Sequence, residues 1–190
     1  KIEYDFKDER RKLKEVSFVF NAQLLGHQQI VIKEKKKNDL GIIVAPPGSG
    51  KTIVGLKIIA DKKQPALIIT HRKQIADQWI ERIETFLGIP KNEIGKIGQG
   101  KTKIGKQITV AMIQSLSKEL EKPDTGKILN AFGTIIVDEC HHIPAETFRN
   151  AISKLQTFYL YGLTATPFRK YNDSKLIFIH LGEVIAEIKS

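Results

Sequence analysis

The chain holds one cysteine, one methionine and one tryptophan in 190 residues, and aromatic residues make up only 7% of it. A single cysteine excludes an internal disulfide framework and suits a reducing compartment, so a cytoplasmic location is expected. It also leaves no thiol pair for a structural zinc site. No apolar run approaches the ~18 residues of a membrane span, so no membrane partner is expected. The opening residues, K-I-E-Y-D-F-K-D-E-R-R-K, are charged throughout and lack the apolar stretch of a secretory signal. The chain begins without methionine, and we expect it to be a piece of something longer. Acidic residues are outnumbered: 31 Lys and Arg face 21 Asp and Glu, a net charge of +10. That excess suggests an anionic partner, of which nucleic acid is the commonest. Runs such as Lys33 to Lys37 read equally as solvated faces.

Two strings carry the chemistry. A-P-P-G-S-G-K-T runs from Ala45 to Thr52, after the apolar Leu40 to Val44 and before the apolar-periodic Ile53, Val54, Leu56, Ile58 and Ile59. Strand, glycine-rich turn and helix is the context of a phosphate-binding loop. Gly48 and Gly50 let the backbone curl so that several N–H groups point inward. The following helix adds the positive end of its dipole to the same concavity. Pro47, Gly48, Ser49, Gly50, Lys51 and Thr52 are therefore candidates for cradling a nucleoside triphosphate. Lys51 would reach the β- and γ-phosphates, and the Thr52 hydroxyl would ligate magnesium. The first glycine of the G-x-x-x-x-G-K-[ST] pattern is Ala45 here.

The second string, T-I-I-V-D-E, spans Thr134 to Glu139. An all-apolar, β-branched run reads as a buried parallel strand, and ligands of parallel sheets sit beyond the strands' carboxyl ends. The two carboxylates are delivered there. Asp138 would hold magnesium through its water shell, and Glu139 would orient and deprotonate the attacking water.

Elsewhere, apolar periodicity predicts a short strand over 16–20, a helix over 23–36, strands at 40–45 and 66–70, and helices over 52–61 and 73–87. A short strand near 95–97, a basic loop over 98–106 and a strand over 107–112 follow. A helix from about Gln114, the acidic strand 134–138, a helix over 145–155 and a strand over 158–163 complete the pattern. One or two last strands are expected within 176–189. Strands alternating with helices predict an α/β fold with a mostly parallel, doubly wound sheet.

Six segments in one order resemble motifs of superfamily 2 helicases and translocases. They are Gln28, A-P-P-G-S-G-K-T, A-L-I-I-T-H-R-K-Q-I-A-D-Q-W (Ala66 to Trp79), I-T-V-A-M-I-Q-S-L (Ile108 to Leu116), D-E-C-H (Asp138 to His141) and G-L-T-A-T-P (Gly162 to Pro167). The likeness is to the DExH-type branch that holds restriction translocases and excision-repair helicases, and it spans residues 24 to 170. That family tolerates alanine in place of the missing glycine. It implies a RecA-like, ATP-binding domain over 23–190, with 1–22 as an extension or accessory strand. It also implies ATP and Mg2+ as cofactors and DNA, rather than RNA, as the favoured nucleic acid. A second RecA-like domain, bearing the arginine finger, is a further expected partner; nothing here resembles its motifs.

The resemblance assigns roles residue by residue. Gln28 would read the adenine edge, with Gln29 a competitor for that role. His141 would relay between the ATP site and Thr164 and Thr166, whose hydroxyls would bond back to the acidic motif. His71, Arg72 and Lys73 would meet a sugar-phosphate backbone, with Gln114 and Ser115 as a second contact. Cys140 is a small filler between Glu139 and His141. Trp79 lies on the apolar stripe of its helix and reads as core more than as a base-stacking platform. The rival reading is a phosphate-loop NTPase not acting on nucleic acid, although the transporter signature L-S-G-G-Q is absent and a kinase would lack G-L-T-A-T-P.

Overall fold

The computed structural model describes residues 8, 10–35, 38–166 and 179–188. Pro167 and the start of the expected 176–189 strand region lie outside them. Helices α1 (Gly26–Lys35), α2 (Lys51–Lys62), α3 (Lys73–Leu87), α4 (Ile113–Leu120), α5 (Gly126–Leu129) and α6 (Ala145–Ile152) surround eight strands. These are β1 (Leu40–Val44), β2 (Ala66–Thr70), β3 (Gly95–Gly98), β4 (Lys101–Lys103), β5 (Ile108–Met112), β6 (Thr134–Asp138), β7 (Tyr159–Thr164) and β8 (Val184–Glu187). They form one sheet in the order β4-β3-β5-β2-β6-β7-β1-β8. Every pairing is parallel except β3 with β4.

The central strands are apolar on both sides because helices cover both faces. Successive residues alternate between two cores. Ile43, Ile68 and Ile136 join Val54, Ile58, Trp79 and Ile83 under α2 and α3. Ile42, Leu67, Ile69, Ile135 and Val137 join Ile113, Leu116 and Phe148 under α4 and α6. The two-residue period of the strand therefore turns Asp138, two beyond Ile136, toward the α2–α3 side. A slip of one residue would face its carboxylate toward α4 and α6 instead.

Strand order places the chemistry. Between β1, which feeds the phosphate loop, and β6, which ends in the acidic pair, lies only β7. Its last residue, Thr164, pairs in register with Val44, and Thr164 O accepts a 2.8 Å hydrogen bond from Ala45 N. On the other side, β2 and β5 are neighbours, with Thr70 opposite Met112.

Three sequence expectations are corrected. Residues 16–20 form no strand. Val16 N bonds to Lys63 O at 2.9 Å and Asn21 N to Phe86 O at 2.8 Å, so the segment strings between the ends of α2 and α3. Phe18 and Phe20 pack on the α2–α3 core, so the alternation reflects packing on helices. The basic segment 98–106 is not all loop: Lys101–Lys103 returns as β4 to close a hairpin with β3. Finally, α1 begins at Gly26, not at Gln23. Gln28 Oε1 accepts from Leu25 N at 3.0 Å, as the third-position glutamine of a capping box does, and this fixes the start.

Candidate active site

Gly48 and Gly50 both have φ of 80°, in the left-handed region that only glycine enters freely. A Cβ on Gly50 would lie 2.4 Å from Gln28 Nε2. That amide donates to Ser49 O at 2.9 Å, and the Ser49 hydroxyl donates to Pro46 O at 2.7 Å. The loop is thus held from within and from α1. Lys51 and Thr52 open α2, where the first backbone N–H groups have no intrahelical acceptor.

Lys51 Nζ donates to Glu139 Oε1 at 2.7 Å, joining the phosphate loop to the acidic strand across β7. Glu139 itself sits at φ 47°, ψ 46°, a strained conformation for a non-glycine residue. Its other oxygen, Oε2, is buried without a hydrogen-bond partner among the described residues. Asp138 is buried; its Oδ2 accepts from Trp79 Nε1 at 2.7 Å and its Oδ1 from Glu139 N at 2.9 Å. Burial raises its carboxyl above the ordinary range, and the indole hydrogen bond works against that rise.

His141 Nδ1 and Thr164 Oγ1 are hydrogen-bonded at 2.7 Å, with Glu139 Oε2 3.4 Å from the same nitrogen. That nearby carboxylate favours a proton on Nδ1. Thr164 then accepts from His141 and donates its own proton to Thr166 O at 3.1 Å. His141, the first of the two histidines after Cys140, is therefore the one that meets β7. Burial holds its pKa below the usual histidine value. The centroid of its ring lies 3.8 Å from that of His142, the planes tilted by 42°, and the His142 centroid lies 5.2 Å from that of His71 at the end of β2. Cys140 is fully buried and its thiol is pushed up to about 12 by burial, which fits a filler and not a nucleophile.

The expected nucleic-acid residues fall into two groups beyond the carboxyl ends of neighbouring strands. His71, Arg72 and Lys73 follow β2, and Gln114 and Ser115 open α4 after the adjoining β5. Arg72, Lys73 and Gln114 are exposed. Ser115 faces a cleft of about 510 Å³ that it shares with Lys101, Lys118 and Lys122. Sequence reasoning passed over Trp79 as a partner of the acidic motif. The signal was present: an indole on a buried helical stripe needs an acceptor for its N–H. Gln28 is 2% exposed, and both ends of its amide bond within the protein. Gln29 Nε2 donates to Leu24 O at 3.0 Å.

The donor set suits a magnesium nucleotide. Thr52 and Asp138 offer hard oxygen ligands, Gly48 leaves open space where a Cβ would stand, and Glu139 Oε2 is an acceptor in need of a donor.

The family model described as type III restriction enzyme, res subunit matches residues 11–169. The DNA 3'-5' translocase XPB2 of Sulfurisphaera tokodaii is 34% identical over 163 residues, covering 86% of this chain and 35% of that protein. The DNA 3'-5' helicase XPB of Mycobacterium tuberculosis is 30% identical over 155 residues, covering 78% and 27%. The chain thus spans roughly a third or less of these relatives. Among solved structures, the UvsW helicase from bacteriophage T4 superposes with a TM-score of 0.74 at 20% identity, over 92% of this chain and 64% of that one. At that identity the likeness speaks for the fold. The sequence match carries the lineage: the chain belongs to the family of the type III restriction enzyme res subunit, and it is a first RecA-like domain of the superfamily 2 helicases and translocases.

Proposed function

We propose that this chain is the ATP-binding half of a DNA-dependent helicase or translocase motor. The observation that carries the reading is the meeting of Lys51 and Glu139 at 2.7 Å, with Glu139 Oε2 buried beside it without a hydrogen bond among the described residues. The Lys51 ammonium binds the β- and γ-phosphates in exchange for its carboxylate partner. Released from that ion pair, Glu139 accepts the proton of a water lined up on the γ-phosphorus. Thr52 and Asp138 would hold magnesium, which would supply charge neutralisation for the departing phosphates. Thr164 and His141 sense the change at the phosphates and pass it through Thr166 toward the nucleic-acid edge. Arg72, Lys73, Gln114 and Ser115 hold the DNA backbone there without reading its sequence. Gln28 acts on the nucleotide by fixing the phosphate loop; in reading adenine it would exchange its internal bonds for N6 and N7. A second RecA-like domain completes the motor by supplying an arginine finger, worth ~10³–10⁵ in rate.

The test is equilibrium binding of the chain to labelled single-stranded DNA, duplex DNA and RNA, at low and high salt, with and without a non-hydrolysable ATP analogue. A preference for DNA whose strength changes with nucleotide supports the reading. Equal binding to all three polymers that ignores nucleotide and responds only to salt would overturn it, leaving generic lysine–phosphate attraction.

A further inference from the structure

Trp79 is the chain's only tryptophan and is 1% exposed. A buried indole could satisfy its N–H with any backbone carbonyl. This one instead bonds the carboxylate of Asp138, at 2.7 Å. The same ring rests on α2: a Cβ on Gly55 would come within 2.7 Å of Trp79 Cη2. Gly55 lies one helical turn after Lys51 and Thr52. One side chain therefore touches both the helix that carries the phosphate loop and the strand that carries the acidic pair.

The chemistry of the contact is asymmetric. Asp138 receives one hydrogen bond on each oxygen, from Trp79 and from Glu139 N. The backbone donor belongs to the adjacent residue and moves with the strand. Among the described residues, Trp79 is the only side chain whose hydrogen bond holds the carboxylate. Lys51, the nearby cation, is engaged by Glu139. Without the indole the carboxylate would keep only the bond from the adjacent backbone N–H, in a site whose water-mediated metal contact needs one orientation.

Resting on the reading of Asp138 as the magnesium ligand, we propose that Trp79 is the positioning residue of that carboxylate. Its N–H fixes one oxygen from behind, so that the remaining lone pairs face the phosphate loop. Gly55 is part of the device, because it lets α2 and the indole approach closely enough for the N–H to reach β6.

The test is a Mg2+ titration of the full chain holding a fluorescently labelled, non-hydrolysable ATP analogue. Trp79→Phe keeps an aromatic ring and removes the donor. It should weaken the apparent Mg2+ affinity about tenfold and leave analogue binding in EDTA unchanged. Wild-type Mg2+ affinity in a variant that melts normally would overturn the proposal, as would equal losses with and without Mg2+. A second measurement stands if Trp79→Phe fails to fold. Emission excited beyond the absorption of the four tyrosines reports Trp79 alone, and it should shift when Mg2+ is added to the analogue complex; an unmoved spectrum would overturn the proposal. Lys51→Ala separates the two readings. If it binds the analogue as well as wild type, the nucleotide site itself is misassigned, whatever Trp79 does.

Discussion

Lys51 Nζ and Glu139 Oε1 form a 2.7 Å ion pair that joins residues 88 positions apart. Both side chains are largely buried, so the pair is poorly screened and neither charge is easily left alone. Lys51→Ala removes the proposed phosphate ligand and strands the carboxylate. Affinity for an ATP analogue should fall about 10- to 100-fold, the worth of a charge-assisted hydrogen bond. Glu139→Gln frees Lys51, so analogue binding should hold or tighten. In a motor completed by the proposed second RecA-like domain, the same change should cut turnover about 10²–10⁴-fold. Calorimetric titration and steady-state ATPase rates check the two halves.

The phosphate loop rests on a glycine and a glutamine that meet. Gly50→Ala would place a methyl against Gln28 Nε2 in a left-handed backbone, which costs about 1–2 kcal/mol before the clash is counted. Gln28→Ala would remove the bonds to Leu25 N and Ser49 O, each worth about 1 kcal/mol. Urea denaturation should find both variants destabilised, and analogue binding should weaken in both because the loop loses its shape.

Acid should loosen the fold through its imidazoles. Burial, with His142 and Arg72 close by, holds His71 below the ordinary histidine pKa, and burial lowers His141 likewise. The folded state then binds fewer protons than the unfolded state between those lowered values and about 6.5. Stability should be full above pH 6.5 and fall as pH drops below it. Both ring nitrogens of His71 are buried without partners, so His71→Phe loses no hydrogen bond there. Melting curves from pH 7.5 to 5.5 should show a shallower decline for His71→Phe.

Cys140 should be chemically silent. Its thiol is fully buried and pushed up to about 12, so almost no thiolate exists at pH 8. Alkylation should be slow in the native chain and complete in denaturant. Rapid native labelling would contradict the packing of Cys140 against Gly162, where an added Cβ would meet Sγ at 3.1 Å.

Arg72 and Lys73 are exposed at the end of β2. If they hold phosphates, replacing both with alanine should weaken DNA binding evenly across sequences. The slope of log affinity against log salt should become shallower by roughly 0.9 for each lost contact.

What the sequence revealed follows from how far each signal is local. Ala66–Thr70, Lys73–Leu87 and Thr134–Asp138 match their expected spans because each holds its apolar period without interruption. The phosphate loop and the acidic pair were legible for a related reason: glycine, lysine and adjacent carboxylates state their chemistry in the residue names. Val16–Phe20 misled because alternation along helices resembles alternation in a sheet. β4 was missed because K-T-K is exposed throughout and carries no apolar pattern. The bond from Gln28 to Ser49 O and the contact of Trp79 with Asp138 join residues 21 and 59 positions apart, and no local pattern encodes such pairings.

The hairpin strand that breaks the parallel order has another consequence. As the outermost strand among the described residues, β4 leaves one side of its backbone unpaired within the sheet, an invitation for another chain to add itself there. It is three residues long, and two of them are lysines. Any approaching edge of like sequence meets the same two charges, and a strand so short gives it little to hold. The basic edge thereby discourages the chain from polymerising with itself.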